Sequence, residues 1–273
     1  MQHALYHHHI VDLFVWLDDS LPKTRSRAGG RPPCLSDSEV LTILIWDGLT
    51  EPHQQLKEVY DWIARDYHDC FPRLPRYQNF VAEVHRALPA MLRLLQATLS
   101  SETPLRFADS TMLEVCKLVR AGRHRVAKGS AAFGRNHQGW HYGFKLHAAI
   151  DHDNRLAGLY FTPANEADVL QLKHLVNRHT EVVVADAGYT AQVTRRHIWR
   201  DFRCLVISPP RPGQTWLMAG WQHLLLTLRP KIEAVFGILK ERAHFVTSFP
   251  RSVRGYFVHY VRVLLGYQMG RVS

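Results

Sequence analysis

The chain has 273 residues, of which 46% are hydrophobic, so it can bury one large core or a medium and a small one, and wholesale disorder is excluded. Lys and Arg outnumber Asp and Glu by 34 to 24, a net charge of +10 with 18 histidines in reserve, which fits a polyanionic partner because bound phosphates release counterions. Cys34, Cys70, Cys116 and Cys204 form no CxxC pair, which disfavours a zinc finger or a disulfide framework and suits a reducing, cytoplasmic setting.

No basic-then-apolar leader opens the sequence, and His7, His8 and His9 read as a solvated or half-buried end. Residues 10–17 carry apolar side chains at helical spacing. A basic, turn-rich stretch over 23–33 follows, with Lys23, Arg25, Arg27 and Arg31 among paired glycines and prolines. Ser36-Asp37-Ser38-Glu39 is a capping box opening a helix through Trp46. Helical patterns over 56–67 and 77–99 complete a helical head, punctuated by Pro72, Pro75 and Pro89.

After Ser100 the pattern changes. Residues 105–108 predict a short strand ending at Asp109. Residues 142–150 and 156–162 predict a hairpin turning at Asp151-His152-Asp153-Asn154. Residues 166–178 have the apolar face of an amphipathic helix, and Val182-Val183-Val184 is a buried strand ending just before Asp186. A helix over 190–200, a strand over 204–207, a Pro-rich loop at 209–213 and helices over 230–242 and 253–268 complete the order. The apolar stretch 256–269 is broken by His259 and Arg262 and is too short to span a bilayer. Alternating strands and helices predict an α/β fold with a mixed sheet, residues 101–273, behind a helical domain, residues 1–100.

Two aspartates follow predicted strand ends, where a carboxylate emerges from an apolar sheet onto a loop. Taken singly, each Asp is more often a turn or helix cap than a ligand. Gly188 beside Asp186 permits close backbone approach. The helix opened by Pro230 carries Ile232, Val235, Phe236 and Leu239 on its apolar face, with Arg229, Glu233 and Lys240 beside it. Packed on the sheet, that face would bring Glu233 to the edge where Asp109 and Asp186 emerge. Three carboxylates suit hard divalent ions, and two such ions can clamp an in-line phosphoryl displacement. Between Val115 and Ile150 there is no Asp or Glu. Lys117, Arg120, Arg123, Arg125, Lys128, Arg135 and Lys145 stand there among His124, His137, His141, His147, Phe133, Trp140 and Tyr142. Such a segment could hold a DNA backbone and stack on unpaired bases.

Asp109-Ser110-Thr111, Gly143-Phe144-Lys145-Leu146-His147, Thr162-Pro163-Ala164-Asn165-Glu166-Ala167-Asp168 and Ala185-Asp186-Ala187-Gly188-Tyr189, in that order, resemble the core of bacterial insertion-sequence transposases of the DDE class. Arg229, Glu233 and Lys240 keep the spacing of that family's closing motif, although Leu226 stands where its Tyr would be. Gly30-Arg31-Pro32-Pro33 and the following Leu35 to Leu41 resemble its N-terminal region. The resemblance implies an RNase H-like fold, with two Mg²⁺ or Mn²⁺ ions held by Asp109, Asp186 and Glu233. It implies Arg229 and Lys240 on DNA phosphates, transposon ends and target DNA as substrate, and a homodimer on DNA. Two other readings stay open: a nuclease that cuts without joining, and a non-catalytic DNA-binding descendant. Trp216 and Trp221 read as packed side chains before base-stacking ones, Glu166 and Asp168 as helix caps before ligands, and the 23–31 stretch as an end-binding segment.

Overall fold

The structure, a computed structural model, describes residues 9–22, 32–136, 138–211, 213–215 and 217–271. His7, His8, the basic stretch 23–31, His137 and Trp216 lie outside the described residues. In chain order the helices are α1 (Ile10–Ser20), α2 (Asp37–Thr50), α3 (Leu56–Asp66), α4 (Tyr77–Thr98), α5 (Leu118–Ala121), α6 (Asp168–Gln171), α7 (Gln192–Phe202), α8 (Gly220–Thr227), α9 (Pro230–Gly237) and α10 (Val253–Met269). The strands are β1 (Leu105–Glu114), β2 (Ala132–Asn136), β3 (Gly139–Ile150), β4 (Leu156–Pro163), β5 (Val182–Val184) and β6 (Leu205–Ile207). Two compact units result: residues 1–98 with 241–245 and 249–273, and residues 99–240 with 246–248. The closing helix, placed by sequence order with the sheet, is thus part of the helical unit.

In the helical unit, the Ser36 hydroxyl accepts from Glu39 N–H at 3.1 Å and the Glu39 carboxylate accepts from Ser36 N–H at 2.6 Å, the capping box read from sequence. His9 Nδ1 caps α1 by accepting from Val11 N–H. Pro89 does not end α4 but sits inside it. Lacking an N–H, it leaves the His85 carbonyl without its helical donor, and Arg254 of α10 donates to that oxygen through Nε and Nη2 at 3.1 and 2.7 Å. Helices α2 and α10 cross at backbone contact, since a Cβ added to Gly48 would lie 2.7 Å from Gly266 Cα. Beside that crossing Arg262 donates to the Asp47 carboxylate at 2.9 Å and to the His53 carbonyl at 2.6 Å, with both charged side chains 3% exposed.

His259 is held neutral in the same interior. Its Nε2–H donates to the His244 carbonyl at 2.9 Å, and Nδ1 faces the Arg262 guanidinium at 3.4 Å. Burial, reinforced by that guanidinium, pushes its pKa down to about 3. The folded value lies below the ordinary 6.5, so this group's contribution is complete above pH 6.5 and is lost as pH falls toward 3. Urea titrations should lose about 2–3 kcal/mol of stability from this residue between pH 7 and pH 4.5. His259→Gln should flatten that part of the profile; an unchanged slope would show that His259 does not titrate as described.

The other unit is built on a six-stranded mixed sheet. Long β3 pairs antiparallel with β1 on one edge, while β2 and β4 share its other edge. β5 joins β1 in parallel and β6 joins β5 in parallel. This is an RNase H-like order: an antiparallel meander, extended by parallel strands reached through crossovers. One face carries Ala108, Ala149, Val183, Ala185 and Val206, packed against Leu172, Leu175, Val176, Tyr189 and Ile198. The other face of β1 is covered by α9, whose Ile232, Val235 and Phe236 are buried.

Three elements differ from the sequence expectation. β1 does not stop before Asp109 but runs on to Glu114, because β3 pairs with it through Gly143. The helix expected over 166–178 is one α-turn followed by a 3-10 turn (Leu172–His174), although Leu172, Leu175 and Val176 are buried as that pattern required. β2 was not expected at all.

Candidate active site

The site begins where β5 ends. Phe107 and Val184 form the last pair between β1 and β5, and Asp109 and Asp186 each lie two residues further along. Side chains alternate along a strand, so both carboxylates follow Phe107 and Val184 onto one face. Beyond that pair β1 has no strand on this side, which opens a gap at the sheet edge. Asp109 remains within β1, opposite Ala148 of β3, and its Oδ1 accepts from Ser110 N–H at 2.8 Å. Asp186 caps the 3-10 turn Ala187–Tyr189, accepting from Gly188 N–H at 2.7 Å. The close approach expected at Gly188 is realised without positive φ, because a Cβ there would stand 2.8 Å from Asp186 Oδ1.

Helix α9 brings the third carboxylate. Pro230 occupies its first turn, and packing of the apolar face on β1 carries Arg229 and Glu233 over Asp109. Arg229 donates to Glu233 Oε1 at 2.6 Å and lies 3.6 Å from Asp109 Oδ2, its guanidinium shared between the two. Burial pushes the Asp109 pKa up to about 6. Its Ser110 hydrogen bond opposes this; the charge of Asp186 adds to it, Arg229 offsets part and Glu233 adds a little more. The sequence-expected triad therefore converges electrostatically. Among the described residues, however, no three His, Cys, Asp or Glu side chains already close on one point as a metal cage. Arg229 lies between Glu233 and Asp109 and offsets part of their charge. The donor set still fits a hard divalent ion, since it offers oxygens only and places two carboxylates where their mutual repulsion needs a counter-charge.

The other expected site residues divide. Lys117, Arg120, Arg123, Arg125, Lys128 and Arg135 are exposed, on α5, the loop after it and β2. On β2 and β3, Arg135 pairs across from Trp140 and Phe133 from Tyr142, and the Phe133 and Trp140 rings are about half exposed. Lys240 is half-buried in a π-turn (Ile238–Arg242) that continues α9, near Glu114 at the far end of β1 rather than beside Asp109. Lys145 does not belong to the exposed set. It is 6% exposed and donates to the Asp168 carboxylate and the Glu166 carbonyl, both at 2.8 Å. Asp168 in turn makes no side-chain cap on α6, because this buried lysine takes it. Trp221 is half exposed on α8, a helix that buries no residue, so the packing expected of it is not met.

Sequence reasoning missed Arg211, whose Nε and Nη2 donate to the carbonyls of Ala187 and Gly188 at 3.1 and 3.2 Å and brace the Asp186 turn. Its place in a Pro-rich loop gave no signal. It also missed the role of the Lys145–Asp168 pair, although both residues stood in motifs already singled out.

A family model described as "Transposase DDE domain" matches residues 99–253, more than half of the chain. A solved structure described as "Crystal structure of a pre-cleavage Mos1 transpososome" aligns with 94% of this chain and 84% of that one. Its identity is 15% and its TM-score 0.23, a likeness too slight to bear on fold or mechanism. No helix among the described residues is long and apolar enough to cross a membrane.

Proposed function

The chain belongs to the transposase DDE-domain family, and on that premise we propose that it cuts DNA at transposon ends and joins the freed ends to target DNA, with Asp109, Asp186 and Glu233 as metal ligands. The observation that carries the reading is the placement of Asp109 and Asp186 side by side where β5 stops, with Glu233 delivered above them by α9. Two Mg²⁺ or Mn²⁺ ions bound there would supply Lewis acidity for an in-line displacement at phosphorus. The chain's own residues do the rest. Ser110 N–H and Gly188 N–H each hold one carboxylate oxygen, which fixes the direction of the other. Arg229 keeps Glu233 and Asp109 compensated until metal and phosphate arrive, and is then free to meet a phosphate oxygen.

The exposed cations from Lys117 to Arg135 would hold the double helix by its backbone, and Phe133 and Trp140 offer faces for unpaired bases. Lys240 would serve the same backbone from the π-turn. The helical head, residues 1–100, is proposed to read the transposon end, and a homodimer to hold two ends together.

The deciding assay incubates the protein with Mg²⁺ and DNA carrying the element's own ends, scoring cleaved and joined products separately. Wild type should give both, and Asp186→Ala and Glu233→Ala neither. Equal cleavage by all three would discard the assigned site. Cleavage without joining would leave a nuclease, and end binding without cleavage by wild type would leave a DNA-binding protein.

A further inference from the structure

Helix α7 is the crossover between the parallel strands β5 and β6, so its first turn lies at the sheet end where Asp109 and Asp186 emerge. It buries only Ile198, which packs in the cluster with Ala108, Ala185 and Val206, on the sheet face opposite the Asp109 side chain. There is no Asp or Glu between Asp186 and Asp201, whereas α7 carries Arg195, Arg196, His197 and Arg200, with Arg203 just after it. Arg195 turns inward to donate to the Val206 carbonyl at 2.8 Å. Arg196, His197 and Arg200 are exposed, and Val193, Arg196 and Arg200 follow at helical spacing along the side away from Ile198. Trp199 is 51% exposed on the same side, three residues after Arg196 and four before Arg203.

Two features of this side work against the fold. Arg196 and Arg200 stand at i and i+4, where like charges repel. The one nearby acid, Asp201, is engaged by Arg200 through Nε and Nη2 at 2.7 and 3.2 Å. Arg203 closes the helix by donating its N–H to the Trp199 carbonyl at 2.9 Å, with φ at 57°. Glycine fits that left-handed position without a Cβ clash. The arginine found there holds a strained backbone and presents its guanidinium to solvent beside Trp199. A polyanion laid on this side would relieve the repulsion and engage every exposed cation.

We propose that α7 and Arg203 form a second DNA surface, which holds the backbone of the target duplex while the transposon end occupies the cations from Lys117 to Arg135. The inference rests on the strand-transfer reading above and deepens it. Sheet order carries the geometry. β2, with Phe133 and Arg135, lies on one edge, and β6, against which α7 packs, is the other. The steps from β2 through β3, β1 and β5 to β6 span roughly 19 Å at about 4.8 Å per strand, and the carboxylates stand between, where β5 ends. Phe133 and Arg135 share the face of Asp109 through their β3 partners Tyr142 and Trp140, whereas α7 lies on the other face. Surfaces that look different ways from opposite edges cannot be covered by one straight duplex. Joining brings two duplexes to one site, and this arrangement gives each its own cations. Arg196 and Arg203 supply donors for phosphates, and Trp199 offers its ring to the sugars between them.

The test saturates the full chain with unlabelled duplex carrying a transposon end. A labelled duplex of unrelated sequence is then titrated in at several salt concentrations and followed by fluorescence anisotropy. The logarithm of affinity falls with that of salt at a slope of about −0.9 per neutralised phosphate, so Arg196→Ala combined with Arg203→Gly should flatten the slope by about 2. The variant should melt at or above the wild-type temperature, because glycine suits the left-handed position. Its joined product should fall at least about tenfold relative to its cleaved product. Arg123→Ala combined with Arg125→Ala, on the other surface, should instead flatten the slope for a labelled end duplex. A wild-type slope for the second duplex in the α7 variant overturns the proposal. An equal loss for both duplexes overturns it too, since one surface would then serve both. If wild type binds both duplexes and joins nothing, the strand-transfer reading falls and the target role with it. Joining by wild type and α7 variant alike would sink the α7 assignment alone.

Discussion

Asp109→Asn should abolish DNA cleavage and yet make the metal-free protein more stable. In the folded chain the Asp109 carboxyl has its pKa pushed up to about 6 by burial, with Asp186 adding to it. The unfolded value is the ordinary 3.8. The folded pKa is the higher one, so this group favours folding fully below pH 3.8, and the benefit is gone once pH rises through 6. At pH 7 the ionised carboxylate therefore carries a cost on the order of 2–3 kcal/mol relative to the protonated form. Asparagine keeps the shape and the acceptor for Ser110 N–H while removing the charge. Urea denaturation at pH 7 in chelator should show a gain of about 1–2 kcal/mol, less than the full cost because the Arg229 contact is weakened too. The same variant should cleave at least about 1,000-fold more slowly, equivalent to about 4 kcal/mol of barrier. A variant that is inactive and also less stable would contradict the picture of a site that strains the fold to hold charge.

Arg262→Met should be the most damaging single change in the helical unit. Arg262 and Asp47 are each 3% exposed, and the guanidinium also satisfies the carbonyls of His53 and Gln54. Removing the cation leaves a buried carboxylate with only His53 as partner, at 2.7 Å from Nδ1. Breaking a buried pair in this way costs about 3–5 kcal/mol. Circular dichroism followed through urea titration at pH 7 would measure it. Because the penalty belongs to the stranded anion rather than to the lost attraction, Asp47→Leu combined with Arg262→Met should recover much of the loss. A double variant as unstable as the single one would show that packing, not the orphaned charge, sets the cost.

The parts legible in the sequence were those written in local periodicity. The capping box before α2, the apolar face of α9, the valine run of β5 and the hairpin of β3 and β4 all carry their pattern within a dozen residues. The three carboxylates were legible because two follow strand patterns and the third sits on a helix with an unmistakable apolar face. What escaped was set by partners distant in the chain. β1 continues past Asp109 because β3 pairs with it, and β2, interrupted by Gly134 and ending in polar Arg135 and Asn136, is a strand only because β3 offers it an edge. Lys145 reads as one cation among seven, and only the fold shows that Asp168, 23 residues later, takes it inside. Pro89 reads as a helix stop, but inside α4 the His85 carbonyl it leaves without a helical donor accepts from Arg254, which arrives from the far end of the sequence.

The discontinuous make-up of the helical unit has a consequence for biogenesis. Its central pair, α2 and α10, is separated by the whole of the sheet unit, so the nascent head emerges from the ribosome with an exposed groove at Gly48 and an uncompensated Asp47. The sheet unit can complete itself in the meantime, while the head waits for α10. A premature stop after residue 240 would leave every proposed catalytic residue translated but the head without its last helix, a natural point at which a truncated copy becomes aggregation-prone instead of merely inactive.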